Sequence, residues 1–318
     1  LAAHGVGQLE VGEGVTRDEW TRFLTRLNSE PAAEDPLARL VERLTRAGVT
    51  HILLTPPDAE EESAPADEAH EVAKKTYVQS VAVAREAMLG VRMGKGVSVR
   101  RVKRAVQQIV DQVLHNETSM MGMTVLRDYD QYTFAHSVNV CIFSVALGKK
   151  LGLSRDQLYE LGMGALMHDM GKVKLPIELT NKSGALEDVE WEMVREHPTE
   201  GLLALMELRG MGALPLRAML MAYEHHMKAD QSGYPVSMRP RKPTLFSRIV
   251  AIADGFDAAT TKRSYQSNPW LPDQVLREMR DNPGRGMDPL LVKAFISMTG
   301  YYPVGSVVIL DNYELAVV

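Results

Sequence analysis

The chain has 318 residues, with 36 basic and 41 acidic side chains and a formal net charge of −5. This length allows one large domain or two smaller ones, and the mild acidity gives no electrostatic basis for binding duplex nucleic acid. The single cysteine excludes an internal disulfide, no stretch approaches the roughly 18 apolar residues that span a bilayer, and the N-terminus has no signal pattern. We therefore expect a cytoplasmic protein with neither a membrane association nor a duplex nucleic acid partner.

Residues 1–57 predict a small α/β unit. The segments His4–Val11 and His51–Thr55 are typical of short strands, and two amphipathic helices are predicted between them. No group of catalytic side chains occurs in this unit, so we expect a regulatory or docking role.

Residues 58–71 are rich in acidic side chains and contain no lysine or arginine. This composition predicts a solvated, self-repelling linker.

Residues 72–318 are predicted to be mainly helical. Apolar side chains between Val99 and Leu114 recur with a period near 3.6, which indicates an amphipathic helix over 98–116. A homodimer formed through this helix is a hypothesis that rests on its apolar stripe alone. At the C-terminus, two β-branched runs flank Asp311 and predict a short β-hairpin. The predicted fold class is mainly α, with a helical bundle that ends in this hairpin and follows the small α/β unit.

Five of the nine histidines lie between positions 136 and 226. His136 and His168 each fall on the apolar stripe of a predicted helix, where an isolated histidine is more often a hydrogen-bonded core residue than a metal ligand. However, Asp169 directly follows His168, and a buried carboxylate is costly without a cation. The His168–Asp169 pair is therefore a better candidate for a metal site than either residue alone.

Further histidines and an aspartate extend this candidate site. His197 precedes Pro198 at a predicted helix end. His225 and His226 close another helix, and Asp254 lies in an apolar helical segment. Because adjacent helical residues diverge by roughly 100°, His225 and His226 can address two metals. Seven nitrogen and oxygen ligands exceed what one metal needs, and imidazole mixed with carboxylate suits Fe, Mn, Ni or Zn. Many enzymes that hydrolyse phosphoesters use two metal ions about 3.5–4 Å apart.

The ordered set of these residues resembles the HD phosphohydrolase superfamily, and the fuller pattern resembles its HD-GYP branch, the bacterial cyclic dinucleotide phosphodiesterases. The likeness runs from about residue 125 to residue 300. The segments that carry it are Tyr132-Thr-Phe-Ala-His136, His168-Asp-Met-Gly-Lys172, His197-Pro-Thr-Glu-Gly201, His225-His226, Gly233-Tyr234-Pro235 and Ala253-Asp254-Gly-Phe-Asp257-Ala258. A lone His-Asp pair is a weak signal, whereas seven ligand positions in order around a Gly-Tyr-Pro motif form a specific one.

This resemblance implies an HD-type helical bundle with a binuclear site in which Asp169 bridges two divalent metal ions. Fe or Mn is favoured, with Ni and Zn as further options. The other implied ligands are His136, His168, His197, His225, His226 and Asp254. Some members of the family bind a third metal through a glutamate at the position of Tyr132, so we expect two metals here. For Asp257 we expect a supporting or capping role rather than ligation.

The resemblance also implies an activity, in which a metal-activated hydroxide hydrolyses cyclic di-GMP to pGpG or on to GMP. Asp169 and Lys172 are the expected catalytic residues, because an ammonium after the His-Asp turn can neutralise charge on the phosphate oxygens. The expected substrate contacts are Lys172, Arg263 and Tyr234. Gly233, Tyr234 and Pro235 form the loop motif of the family.

Three alternatives remain open at this stage, because the sequence departs from the family pattern beside the site. The family usually has a glutamate after the histidine pair, where this chain has Met227, and the stretch after Pro235 also differs. These changes concern the substrate rim, so an HD-GYP enzyme that prefers cyclic GMP-AMP is one alternative. A catalytically slow or silent cyclic dinucleotide receptor is disfavoured by the complete ligand set. A generic HD nucleotidase is disfavoured by the loop motif at Gly233.

Overall fold

The computed structural model describes residues 4–6, 8–12, 14–29, 35–56, 66–95, 97–125, 132–180, 182, 184, 186–211, 215–228, 230, 232–236, 241–261, 269–282, 286–310 and 315–318. The chain divides into two compact units, residues 1–64 and residues 65–318, each with its own hydrophobic core. Within the described ranges, no helix combines the length and the apolar character that crossing a bilayer requires.

The first unit is a two-stranded antiparallel sheet with two helices. Strand β1 (Gln8–Val11) pairs with strand β2 (Ile52–Thr55), and helices α1 (Arg17–Leu27) and α2 (Pro36–Arg46) connect them. Each helix places one apolar face on the sheet, and the resulting core includes Phe23, Leu40, Leu44, Ile52 and Leu54. The unit contains the strands and helices that the sequence predicts.

Glu19 joins α1 to the start of β2 in this unit. Its buried carboxylate accepts hydrogen bonds from the backbone N–H groups of Thr50 and His51, at 2.5 and 2.6 Å, and lies 2.8 Å from the His51 Nδ1. The His51 N–H group makes the largest contribution, and together with the other hydrogen bonds it outweighs the effect of burial and lowers the pKa of Glu19 to about 2. Glu19 is therefore ionised at neutral pH and fastens two elements that are distant in the sequence.

The second unit is predominantly helical, as predicted. Its helices, in chain order, are α3 (Ala66–Arg92), α4 (Val99–His115), α5 (Glu117–Gly122), α6 (Tyr132–Lys150), α7 (Arg155–Met167), α8 (Ile177–Thr180), α9 (Asp188–Arg195), α10 (His197–Met211), α11 (Leu216–Glu224), α12 (Leu245–Thr260), α13 (Pro272–Asp281) and α14 (Pro289–Thr299). Short 3₁₀ turns cover Met123–Val125 and Met170–Lys174. Strands β3 (Val307–Ile309) and β4 (Leu315–Val317) pair antiparallel, which confirms the C-terminal hairpin, although Asp311 at its predicted turn lies outside the described residues.

Helix α6 is the centre of this bundle. All of its residues from 136 to 148 are buried, because α3, α4, α7, α12 and α14 pack around it. A helix that is apolar on every side is stable only inside a core, so its one inward histidine, His136, is placed in the interior of the unit. Helix α7 packs beside α6 and begins at Ser154 with a reciprocal capping box to Gln157, as the sequence pattern indicates.

The structure corrects two details of the sequence interpretation. Residues 66–71, predicted as the end of the linker, form the first turns of α3. Acidic residues such as Glu68 and Glu71 are favourable near a helix N-terminus, so an acidic composition alone did not distinguish linker from helix.

The apolar stripe of α4 is also not a free surface. Val102, Val106, Ile109 and Val113 are almost fully buried within the core of the same unit, against α3, α6 and α7. The stripe therefore gives no support for a homodimer, because it is already covered by the chain's own helices, and the homodimer stays a hypothesis.

Candidate metal centre

Five helices of the second unit deliver the predicted ligands to one place. His136 projects from α6, and His168 and Asp169 stand where α7 ends and the 3₁₀ turn Met170–Lys174 begins. His225 and His226 follow the last residue of α11, and Asp254 lies in α12. His197 is the first residue of α10 rather than the end of the preceding helix, because Pro198 is well accommodated in the first helical turn.

Asp169 is the centre of this cluster, and its two carboxylate oxygens face different histidines. Oδ1 lies 3.4 Å from the Nε2 of His197 and 3.7 Å from the Nε2 of His225. Oδ2 lies 3.6 Å from the Nε2 of His136 and 3.4 Å from the Nε2 of His168. The side chain of Asp169 is 1% exposed. This carboxylate therefore lies between two pairs of imidazoles.

The other two ligands extend these pairs into two groups of three. His226 joins His197 and His225, and the ligand atoms of this group all lie within 4.8 Å of one another. Asp254 joins His136 and His168 in the same way, with its Oδ1 at 3.1 Å from the His136 Nε2. His226 turns its Nδ1 toward Asp254 at 3.8 Å, so the two groups are contiguous.

Backbone hydrogen bonds orient three of the histidines. The Nδ1 atoms of His168, His197 and His225 lie 2.6–2.9 Å from the carbonyl oxygens of Ala165, Val194 and Ala222, each three residues earlier. A carbonyl can only accept, so Nδ1 carries a proton and Nε2 is the ring atom that faces Asp169. The Nε2 atoms of His197 and His225 lie 3.2 Å apart. Two lone pairs at this distance require a cation between them or beside them.

The electrostatics of the cluster also favour a cation. Burial by itself raises the pKa of Asp169, but Lys172 and His168 outweigh this effect and hold the pKa well below its usual value. Burial likewise opposes ionisation of Asp254, whose pKa is nevertheless held well below its usual value, mainly by His136 and His226. Both carboxylates are therefore ionised at neutral pH in an interior where an uncompensated charge is costly.

The imidazoles divide into two kinds. Burial lowers the pKa of His225, and burial together with Lys172 lowers the pKa of His197 to about 3, so both rings stay neutral. Burial and the neighbouring His225 lower the pKa of His226 well below its usual value. Burial also acts to lower the pKa of His136, but hydrogen bonds with Asp254 and Asp257 outweigh it and raise the pKa to about 9. Neutral imidazoles and ionised carboxylates are the protonation states that bind transition metals, so His197, His225 and His226 are ready to bind, whereas His136 has to release a proton first.

Two buried atoms of the cluster make no hydrogen bond, which also fits a bound metal ion. The Nε2 of His168 and the Oδ1 of Asp169 are fully buried and make no hydrogen bond. Buried polar atoms without a hydrogen bond are rare in proteins, and a bound cation would satisfy both of these atoms. Nitrogen and carboxylate oxygen atoms without sulfur match the ligand preferences of Fe, Mn, Ni and Zn.

Two glycines allow the backbone segments of the site to approach closely. A side chain on Gly171 would place its Cβ 1.9 Å from the carbonyl oxygen of His197, so the turn that follows Asp169 can contact the start of α10 only with glycine at this position. A Cβ on Gly233 would come 2.1 Å from the carbonyl oxygen of His226. The same carbonyl accepts a hydrogen bond from the N–H of Tyr234 at 3.1 Å, which holds the loop motif against the histidine pair.

The rim of the site is formed by the least buried members of the cluster. The side chains of Lys172 and His226 are 26% and 24% exposed, whereas those of His136, His168, His197 and His225 are at most 2% exposed. The Lys172 Nζ lies 2.6 Å from the Oδ2 of Asp169, and the ring of Tyr234 lies against His226 with centroids 4.6 Å apart. Arg263, the other expected substrate contact, lies outside the described residues.

Glu224 is a supporting residue that the sequence interpretation missed. It is fully buried directly before His225, and its carboxylate accepts hydrogen bonds from the Thr244 N–H at 2.9 Å and the Ser247 hydroxyl at 2.7 Å. Arg241 forms an ion pair with its other oxygen. Glu224 therefore ties the end of α11, which carries two ligands, to the start of α12, which carries Asp254. A glutamate directly before the histidine pair, at the end of a largely apolar helical segment, was the only signal of this role.

Comparison with known proteins identifies relatives of the second unit. Residues 120–291 match the HD domain family. The chain is 34% identical to the cyclic di-GMP phosphodiesterase PA4108 of Pseudomonas aeruginosa, over 71% of this chain and 54% of that protein. It is 34% identical to the 3'3'-cGAMP-specific phosphodiesterase 2 of Vibrio cholerae, over 52% of this chain and 31% of that protein. It is 32% identical to a cyclic di-GMP phosphodiesterase of Thermotoga maritima, over 55% of this chain and 47% of that protein. The matched stretch thus spans about half, or less, of the length of these curated relatives.

A solved structure shares the fold of the chain. It is that of Bd1817, a HDG"Y"P protein from Bdellovibrio bacteriovorus, with a TM-score of 0.60, 16% sequence identity and coverage of 82% of this chain and 79% of that chain. Together with the named relatives, this match confirms the resemblance to HD-GYP proteins that the sequence indicates. Residues 120–291 are more than half of the chain. The chain therefore belongs to the HD domain family.

Proposed function

We propose that this chain is a metal-dependent phosphodiesterase that hydrolyses cyclic di-GMP to pGpG, GMP or both. The observation that carries the proposal is the position of Asp169 between two histidine pairs, one facing each of its oxygens. The names of the relatives from Pseudomonas aeruginosa and Thermotoga maritima support the substrate class.

The arrangement of the ligands supports two divalent metal ions, with Fe or Mn favoured. One would be held by the group His197, His225 and His226, and the other by the group His136, His168 and Asp254, with Asp169 as a ligand between the two groups. Bound metal ions would supply Lewis acidity, which generates the nucleophile from water and stabilises negative charge developing on the phosphoryl group.

The protein's own side chains would bind and orient the substrate at the exposed edge of this cluster. The Nζ of Lys172 lies 2.6 Å from the Oδ2 of Asp169, so its ammonium would be able to neutralise charge on the non-bridging phosphate oxygens. Tyr234 would form a wall beside His226, where it can pack against the nucleotide. Arg263 is proposed as a further phosphate contact on the basis of the sequence resemblance.

A second candidate substrate is cyclic GMP-AMP. The 3'3'-cGAMP-specific phosphodiesterase 2 of Vibrio cholerae matches at the same 34% identity as the Pseudomonas aeruginosa relative, although over 52% rather than 71% of this chain. The stretch from Met227 to Gln231, where the chain departs from the HD-GYP pattern, adjoins the loop that carries Tyr234. Base preference would therefore be decided at this rim rather than by the metal ligands.

The test is to incubate Mn²⁺-loaded or Fe²⁺-loaded protein with each nucleotide under reducing conditions and separate the products by chromatography. We expect linear dinucleotide or mononucleotide from the wild type. With Asp169→Asn, the rate should fall by roughly 10²–10³-fold or more, because the Lewis acid contributes several kcal/mol. Asp156→Asn, which changes an exposed aspartate on α7, is the matched control and should retain the wild-type rate. Tight nucleotide binding by fully loaded wild type without any product would instead identify a receptor.

A further inference from the structure

His136 is held differently from the other buried histidines of the cluster. It lies inside α6, where the local carbonyl groups are already engaged in the helix, so no carbonyl three residues earlier is free to accept from its Nδ1. Its partner is instead the carboxylate of Asp257 on α12, with Nδ1 and Oδ2 2.7 Å apart. Orientation of His136 therefore depends on a side chain 121 residues away.

Asp257 is in turn held by Asn139, three residues after His136 on α6. The Asn139 Nδ2 donates to the Oδ1 of Asp257 at 2.9 Å. Asp257 and Asn139 are 3% and 4% exposed, so neither hydrogen bond competes with bulk water. Both oxygens of Asp257 accept from donors on α6, which fixes the plane of the carboxylate relative to the imidazole.

The amide of Asn139 can satisfy Asp257 in only one orientation. Its Nδ2 faces two acceptors, the Oδ1 of Asp257 and, at 3.3 Å, the backbone carbonyl of Thr124. Its Oδ1 accepts from the hydroxyl of Tyr77 on α3 at 3.0 Å. Rotating the amide by 180° would set its oxygen against the carboxylate of Asp257, so the Tyr77 hydroxyl stabilises the one productive orientation.

We propose that Tyr77 is a positioning residue for the metal centre, acting through Asn139 and Asp257 on His136. This inference rests on the proposed function only in taking His136 as a metal ligand. Asp257 keeps a proton on Nδ1 of His136, so the atom offered to a metal is Nε2, which faces Asp169 and Asp254. Helix α3 contains no ligand, yet it contributes to the site through this hydroxyl.

The direct test is Tyr77→Phe, which removes the hydroxyl and keeps the ring. We would measure Mn²⁺ dissociation constants of the chelator-stripped protein by competition with a chromogenic chelator, without any nucleotide. Loss of a residue that supports a ligand directly costs about 10–100-fold in metal affinity, and Asp257→Asn should fall in this range. Tyr77 acts two hydrogen bonds further away, so we expect its loss to weaken one Mn²⁺ equivalent by about three- to tenfold.

Tyr159→Phe is the matched control. Tyr159 is a half-buried tyrosine of α7 that packs against the same hydrophobic core, and it lies outside the chain of hydrogen bonds that leads to His136. Its substitution should leave both Mn²⁺ dissociation constants unchanged. The melting temperature of each metal-free variant is measured in parallel, because a merely structural role of Tyr77 would change that temperature without selectively weakening one metal equivalent.

A double-mutant cycle with Asn139→Ala makes the test specific to the proposed path. If Tyr77 acts through Asn139, Tyr77→Phe has no further effect on Mn²⁺ affinity in the Asn139→Ala background. Mn²⁺ affinity of Tyr77→Phe equal to that of wild type, or effects of the two substitutions that multiply, would overturn the inference. If Tyr77→Phe fails to fold, an Asn139→Ala variant with wild-type Mn²⁺ affinity would overturn it equally. Because Mn²⁺ affinity is read without substrate, the result is independent of whether the wild type hydrolyses cyclic di-GMP.

Discussion

Hydrogen bonds at the Nδ1 atoms of three histidines determine how their rings face the metal centre. The Nδ1 hydrogen bonds of His168, His197 and His225 to local carbonyl groups leave every Nε2 directed at Asp169. These bonds follow from the placement of each histidine at a helix end, where backbone carbonyls are not used by the helix itself. The ligand orientation is therefore built into the secondary structure before any metal binds.

Gly171 should be irreplaceable, since its missing side chain lets the Asp169 turn approach α10. In Gly171→Ala, the new Cβ would collide with the backbone of His197 and separate it from Asp169. We expect a loss of stability of about 1–3 kcal/mol or more and reduced metal content. Denaturant unfolding and elemental analysis would check both. Gly122→Ala is the control, because its Cβ would make an ordinary 3.5 Å contact with Val304. A loss of stability and metal in Gly122→Ala as large as that in Gly171→Ala would contradict the explanation by close approach.

Lys172 offers a test that separates catalysis from metal binding. Its ammonium lies beside Asp169 but supplies no lone pair to a metal. In Lys172→Gln we therefore expect kcat to fall by about 10²-fold, the scale of losing one charge-stabilising donor, with metal content unchanged. Elemental analysis beside steady-state kinetics gives both quantities. A kcat that falls only in proportion to lost metal, and returns when Mn²⁺ is added in excess, would show that Lys172 stabilises the cluster rather than the reacting phosphate.

At the scale of elements, the sequence predicted where helices form better than it predicted which elements pack against them. The capping box at Ser154 and the stripe of α4 are local patterns, and both correspond to helices in the structure. The element that packs on an apolar stripe is determined by tertiary structure, which local sequence patterns do not reveal. The stripe of α4 packs against α3, α6 and α7 of the same chain. Asn139 and Glu224 were missed for the same reason, because their partners lie on helices distant in sequence.

The hydrogen bonds of Glu19, which join α1 to the start of β2, predict that the stability of the first unit depends on pH. The folded-state pKa of about 2 lies below the ordinary value of 4.5, so the contribution of Glu19 to stability is present above about pH 4.5. It is lost as the pH falls from about 4.5 toward 2, because the unfolded chain takes up the proton first. In Glu19→Gln, the unfolding midpoint should be lower at pH 7 and should depend less on pH across this window.

Trp20 makes this prediction measurable. It stacks near Phe23 in the first unit, and replacing Trp191 and Trp270 by Phe leaves its fluorescence as a specific signal. Urea midpoints between pH 7 and pH 2.5 would be compared for wild type, Glu19→Gln and the control Glu42→Gln, whose carboxylate forms an exposed pair with Arg46. The same pH dependence in Glu19→Gln as in wild type would contradict the role given to Glu19.

For the whole molecule, the order of ligands along the sequence was sufficient to predict the family, and the structure brings these expected ligands together. His136, His168, Asp169, His197 and the later ligands are separated by many residues, yet all belong to one cluster in the second unit. The sequence could not show that each oxygen of Asp169 faces its own histidine pair, since that depends on how α6, α7, α10 and α11 pack. This division is the structural basis for proposing two metals rather than one.

The most direct test of the proposed function is the rate of cyclic di-GMP hydrolysis as Mn²⁺ is added stepwise to chelator-stripped protein. The arrangement around Asp169 predicts no hydrolysis without metal and a rate that rises until two equivalents are bound. Full hydrolysis by the stripped protein, or a rate that reaches its maximum at one equivalent, would contradict a binuclear phosphodiesterase.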